Sequence, residues 1–146
     1  VAEVQRAKLL LGRAGKELKA EKIPYNEKIE VGVMIETPAA VMISGELTRE
    51  VDFVSIGTND LTQFTLGMDR GNERLEPYYD PHHPALLKMI RIVANNVHLE
   101  NKRISICGDL AADPEMTEFF LQIGIDELSV APGEVLSLRK RIREIQ

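Results

Sequence analysis

A chain of 146 residues, 44% hydrophobic and 28% charged, is long enough for one domain with a sizeable core and has the make-up of a soluble globular protein. A formal net charge of −5 and the lack of tryptophan argue against nonspecific nucleic-acid binding, which needs a basic surface for phosphates and aromatic platforms for bases. No apolar run approaches the ~18 residues that cross a membrane, no secretory pattern opens the chain, and the single cysteine, Cys107, allows no internal disulfide, so a cytoplasmic location without membrane insertion is expected.

Val4, Ala7, Leu11, Ala14 and Leu18 recur at spacings of three and four among Lys, Arg and Glu. This predicts an amphipathic helix facing a core, ended by Pro24. The charged run over 16–28 reads as a solvated face and loop. Residues 29–35, rich in Val and Ile, predict a buried strand. It stops at Glu36, where Thr37 as N-cap and Pro38 at the first helical position start a helix that runs through Leu47. Val51-Asp52-Phe53-Val54-Ser55-Ile56 predicts a second strand, broken at Gly57, where the backbone is free to turn. Asn59 and Asp60 follow at once, ahead of Leu61, Phe64, Thr65 and Met68 at helical spacing. Either polar residue could be a plain helix N-cap.

Beyond Gly67, Asp69-Arg70-Gly71-Asn72 reads as a turn, and 77–84, with three prolines, as an irregular loop. A helix restarts at Pro84 with Leu86, Leu87, Ile90, Val93, Ala94 and Val97 on one side. Residues 103–107 predict a third strand, ending at Cys107-Gly108-Asp109. Asp113-Pro114-Glu115 opens another helix, which Gly124 closes. Residues 127–130 predict the fourth strand, and Val135, Leu138, Ile142 and Ile145 mark a last helix after Pro132.

A helix followed by four strand–helix units argues for a parallel sheet with right-handed crossovers. All strands then point one way and deliver Glu36, Asn59 with Asp60, and Cys107 to one rim, where α/β sheets and barrels place ligands. Two carboxylates on adjacent strand ends repel unless they share a proton or a cation. Oxygen ligands with open positions suit Mg²⁺, which keeps several waters and bridges to phosphate. No Cys/His cluster has zinc spacing. Arg70 could offer a guanidinium to a carboxylate or phosphate oxygen. Cys107 is either an inert small core residue or a reactive thiol. His82 and His83 need not converge on one metal, and a solvated loop explains both. His98 reads as a surface residue near a helix end.

Glu36-Thr37-Pro38-Ala39-Ala40, then the run from Asp52 to Gln63, then Asp69-Arg70-Gly71-Asn72, then Cys107-Gly108 together carry a resemblance. In order, spacing and strand context they closely resemble the phosphoenolpyruvate-binding domain of Enzyme I of the bacterial sugar phosphotransferase system. Arg70 followed by Gly-Asn is more similar to Enzyme I than to the related pyruvate phosphate dikinase and phosphoenolpyruvate synthase. The resemblance implies the C-terminal half of a (β/α)8 TIM-type barrel, strands five to eight with their helices, so that residues 1–146 form a single partial domain. Whole barrels run to about 250 residues.

The same resemblance implies chemistry. Glu36 and Asp60 would hold Mg²⁺, and Glu36, Asn59, Asp60 and Arg70 would bind phosphoenolpyruvate. The phosphoryl group would pass in line to a histidine on a separate, mobile N-terminal domain, and then to the phosphocarrier protein. Cys107 resembles the acid that protonates the methylene carbon of the pyruvate enolate, a role for a thiol rather than a thiolate. Asp109 departs from the pattern, where Glu is common. None of His82, His83 or His98 lies in a matching active-site histidine motif, and the other half-barrel would carry further arginines for the phosphate. Four strands without their barrel leave two open edges and an apolar inner face, so the isolated chain is expected to be nearly inactive and to form a homo-oligomer. Two other readings stand beside this one: part of a dikinase or synthase, and a non-catalytic dimerisation or regulatory module.

Overall fold

Residues 1–145 are described by a computed structural model, in which four strands lie side by side in sequence order, all parallel. They are β1 (Gly32–Ile35), β2 (Phe53–Gly57), β3 (Arg103–Cys107) and β4 (Glu127–Leu128). α1 (Ala2–Ala20) precedes them and α8 (Val135–Ile145) follows. Helices fill each crossover: α2 (Pro38–Met42) with α3 (Ser44–Arg49), then α4 (Thr58–Leu66) with α5 (Pro84–Leu99), then α6 (Asp109–Ala112) with α7 (Thr117–Gln122). Parallel strands placed in chain order, each joined to the next through helices, are consistent with part of a barrel.

Strand periodicity divides the sheet into two unlike faces. Ile35, Val54, Ile56, Ile104 and Ile106 are buried in one core cluster with Val41, Leu61 and Phe120 and with Leu86, Ile90, Val93 and Val97 of α5. The alternate residues Phe53, Ser55, Ser105 and Cys107 are only partly buried, and Met34 is 47% exposed. The strands are therefore covered on one face only.

A repeated device sets strand register. Asp52, one residue before β2, donates its backbone N–H to the carbonyl of Val31, and its Oδ2 accepts the N–H of Val31, both at 2.8 Å. Asp126, one residue before β4, does the same with Ile104, at 3.0 and 2.8 Å. Each carboxylate thus satisfies a peptide group of the neighbouring strand, and a one-residue slip would leave that group unpaired.

Several expectations need correction. α1 forms, but none of its described residues is buried, and Leu9 is 68% exposed. It touches the core through the partly buried Val4 and is moored by Gln5 and Lys8, which donate to Glu50 Oε1 and to the Glu50 carbonyl at 2.7 Å each. The helix expected from Pro38 through Leu47 breaks at Ile43 (φ −113°, ψ 22°). There the Ser44 hydroxyl takes the carbonyl of Val41 at 2.8 Å and itself accepts Asn96 Nδ2 from α5 at 2.8 Å, so a tertiary contact redirects a local one. β1 and β4 are shorter than expected, and Ile29 lies exposed outside β1. α6 was not foreseen, while the helix expected from Asp113 begins at Thr117, after a turn that Asp113 Oδ1 closes on the Glu115 N–H at 2.8 Å.

Ile106 is fully buried at the centre of the covered face. Replacing it with Ala is expected to cost ~3 kcal/mol, within the range for emptying a packed isoleucine site. Urea denaturation should show a lower midpoint with an unchanged slope.

Candidate functional site

The rim is built where β1, β2 and β3 end. Glu36 follows directly on β1, whose Ile35 pairs with Ile56 of β2, so Glu36 lies level with Gly57. A Cβ placed on Gly57 would stand 2.9 Å from Glu36 Oε2 and 3.0 Å from Met34 Sδ. Its φ of −86° and ψ of 93° suit any residue. The torsions at Gly57 thus do not call for glycine, and a Cβ there would crowd the Glu36 and Met34 side chains.

α4 starts at Thr58, so Asn59 and Asp60 are its second and third residues, and no side chain caps its N-terminus. The N-cap reading of Asn59 and Asp60 is thereby excluded. Asn59 Oδ1 instead accepts the backbone N–H of Asp109 at 2.9 Å, and its carbonyl accepts Tyr79 Oη–H at 3.2 Å. Next to it, Thr58 Oγ1 donates to the carbonyl of Cys107 at 2.8 Å. These bonds stitch the turn after β2 to the turn after β3. Gly108 permits them: its φ is +92°, and a Cβ there would collide with Thr58 Oγ1 and stand 2.8 Å from Asn59 Oδ1.

Asp60 projects from the first turn of α4, where a carboxylate complements the helix dipole. Its Oδ1 lies 3.7 Å from Arg70 Nη2, with the two side chains 39% and 44% exposed. Such a pair contributes little to stability, which leaves both groups available to a ligand. Arg70 is itself held by its backbone N–H, which donates to Gln63 Oε1 at 3.1 Å. Cys107, partly exposed, closes β3 opposite Gly57. Its Sγ donates to the carbonyl of Ile56 at 3.5 Å and lies 3.9 Å from Ser55 Oγ. Donation to a carbonyl is open only to a protonated thiol.

Among the described residues, no group of three or more His, Cys, Asp or Glu is gathered to hold a metal ion. The rim offers two carboxylates, Glu36 and Asp60, on neighbouring strand ends. The histidines diverge. His83 Nδ1 accepts the N–H of Ala85 at 3.2 Å, His82 Nε2 lies 2.6 Å from Asp113 Oδ2, and His98 packs against Gly124. Ser55, Thr58 and Tyr79 join the site without having been singled out beforehand, and Asp109, noted only as a departure from the family pattern, supplies a backbone N–H to Asn59. Ser55 had a signal, because it shares the period-two face of Phe53 and Gly57. Tyr79 had none, since its contact crosses 20 residues of irregular chain.

Residues 1–146 match the family described as "PEP-utilising enzyme, PEP-binding domain" over their whole length. The chain belongs to that family. It is similar to proteins named phosphoenolpyruvate-protein phosphotransferase: 44% identical over 144 residues to that of Buchnera aphidicola subsp. Baizongia pistaciae, 42% over 145 to that of Haemophilus influenzae, and 39% over 145 to that of Priestia megaterium. Each match covers 99% of this chain and 25% of the relative, so the chain spans about a quarter of the length of these transferases. No described helix is long and apolar enough to cross a membrane.

Within this PEP-binding domain, the stitched turns hang on one backbone conformation. Gly108→Ala is expected to cost ~1–3 kcal/mol, the scale of a non-glycine residue forced into a sparsely allowed region. It should also expose the Asp109 amide, which hydrogen exchange would register as faster exchange at that position.

Proposed function

We propose that this chain forms part of the substrate site of a phosphoenolpyruvate-protein phosphotransferase, an enzyme that moves the phosphoryl group of phosphoenolpyruvate to a histidine on a separate N-terminal domain, and thence to a phosphocarrier protein, releasing pyruvate. The supporting observation is one rim on which three successive parallel strands present Glu36, Asn59 with Asp60, and Cys107, in a chain of the PEP-binding family. On this reading the sheet is the C-terminal half of a (β/α)8 barrel, strands five to eight, in a cytoplasmic enzyme.

The donor set fits the cofactor. Glu36 and Asp60 are oxygen ligands, too few to enclose an ion, which suits Mg²⁺ with its retained waters and substrate oxygens. Held there, Mg²⁺ would supply positive charge to offset the anionic oxygens of phosphoenolpyruvate. Arg70 adds a guanidinium fork to the same oxygens, and Asn59 sets the position of the turn and offers its amide N–H₂ to the substrate. As the P–O bond breaks and the acceptor histidine forms a P–N bond, the electron pair left on oxygen makes an enolate. Its methylene carbon takes the proton of Cys107 Sγ, which yields pyruvate and a thiolate that later regains a proton from solvent. Cys107 thus acts as general acid, and the Ile56 carbonyl and Ser55 hydroxyl hold the thiol in place until then.

In the full-length protein, Cys107→Ala should slow pyruvate formation by about 10²-fold or more, the usual contribution of a general acid, and shift phosphoenolpyruvate affinity less than twofold. Normal turnover would return Cys107 to an inert packing role. Asp60→Ala should abolish the heat of Mn²⁺ or Mg²⁺ titration, and an unchanged titration would remove Asp60 from the metal site. The partly open face and two strand edges also need cover. In a longer polypeptide, further strands supply it. For residues 1–146 alone, a second copy does, so sedimentation at micromolar concentration should show an oligomer, and a compact, cooperatively unfolding monomer would defeat that reading.

A further inference from the structure

The segment from Gly67 to His83 has little regular structure beyond a 3₁₀ turn at Glu76–Tyr78, yet it is continuous as a chain of turns. Backbone N–H groups of Asn72, Leu75, Tyr78, Tyr79 and His83 donate to the carbonyls of Asp69, Asn72, Leu75, Glu76 and Asp80 at 2.8–3.2 Å, each turn beginning at or near the end of the last. A displacement at one end is therefore carried toward the other. None of residues 67–83 is buried, so apolar packing does not fix the segment on the domain. Its place depends on polar contacts.

Those contacts fall on two sides of the rim. Tyr79 Oη to the Asn59 carbonyl, Arg70 N–H to Gln63 Oε1 and Arg70 to Asp60 all reach α4. Among the described hydrogen bonds, the one from this segment that crosses to the β3 side is His82 Nε2 to Asp113 Oδ2, at 2.6 Å shorter than the three contacts to α4. A carboxylate only accepts, so Nε2 carries the proton, and a charged acceptor strengthens the bond. Asp113 is a firm anchor, because its Oδ1 accepts the Glu115 N–H at 2.8 Å and its carbonyl accepts Thr117 Oγ1 at 3.2 Å. Between the segment and the turn after β3 lies a cleft of about 200 Å³ lined by Asp69, Arg70, Glu76, Tyr79 and Asp109.

We infer that His82 is a positioning residue, whose bond to Asp113, at the end of the short helix α6 that follows Cys107, latches the Arg70-bearing segment to the β3 side and so sets the width of the cleft between them. The inference rests on the proposed role of Arg70 as a ligand for phosphoenolpyruvate. His82 touches no substrate. It removes the freedom that Arg70 would otherwise lose on binding, so its loss weakens capture and spares the chemical step.

The test compares His82→Ala with His82→Gln in the full-length protein, since a glutamine amide N–H can reach the same carboxylate. His82→Ala should raise KM for phosphoenolpyruvate about fivefold, the scale of one net hydrogen bond, with kcat within twofold and an unchanged melting temperature. Amide exchange over 69–80 should quicken in His82→Ala and return toward wild type in His82→Gln, as should KM. A wild-type KM in His82→Ala overturns the inference, whatever the exchange shows. So does a loss confined to kcat, or one that glutamine fails to rescue. If the wild-type protein shows no phosphoenolpyruvate-dependent transfer, the proposed function fails, and the exchange comparison alone then decides whether the latch exists.

Discussion

The amide oxygen of Asn59 accepting the N–H of Asp109 does more to organise this molecule than its 2.9 Å would suggest. It sits beside the Thr58–Cys107 bond, and the two tie the ends of β2 and β3 at the point where both chains leave the sheet. With those ends fixed, α4 must start at Thr58, which aims Asp60 outward from its first turn, and Cys107 must close β3 opposite Gly57. Two glycines make room. Gly108 lets the backbone pass under Asn59, and Gly57 leaves space for Glu36. A side chain at either would displace a polar group of the rim, so these positions are set by volume as much as by torsion.

The two faces of the sheet follow different rules. On the helix side, Val54, Ile56, Ile104 and Ile106 meet α5 in a dry core, and burial of apolar area supplies the stability. On the other side Ser55, Ser105 and Cys107 alternate with them, small and polar, and stay only partly buried. The same alternation that supports the fold thus leaves the opposite face partly open. Charge placement is consistent with this division: the ion pairs Arg49–Glu100 and Arg103–Glu30 lie on exposed surface, where their contribution is small.

Strand positions and the rim were legible because they rest on local signals: apolar runs, Thr37-Pro38 as a helix start, Gly124 as a helix stop. The structure bears out the four strands in place, though not the full length of β1 and β4, and both helix signals, with Thr37 Oγ1 accepting Ala40 N–H at 3.2 Å and Gly124 at positive φ. What could not be read depends on distant partners. The break at Ile43 needs Asn96, which lies 52 residues from Ser44. The exposure of α1 was invisible because its periodic leucines look the same whether or not a surface exists to receive them. Gly57 was assigned a torsional purpose, whereas its torsions are ordinary and a Cβ there would crowd Glu36, 21 residues earlier. The motif run through Gln63 said nothing of Tyr79 or of the His82–Asp113 pair, whose partners are set by how an irregular segment folds back.

The aspartates that precede β2 and β4 bear on the order in which the chain assembles. Asp52 closes a loop of 21 residues onto Val31, and Asp126 one of 22 residues onto Ile104. Joining β2 to β3 requires closing 50 residues, from Phe53 to Arg103. Closure entropy grows by ~0.6 kcal/mol for each doubling of length, so the two outer strand pairs are favoured to nucleate separately, and the central joint follows. Asn59 and Cys107 lie on opposite sides of that joint. The rim is thus completed by the last and most distant pairing, and until it forms the Cys107 thiol and the Asn59 amide remain apart in the chain.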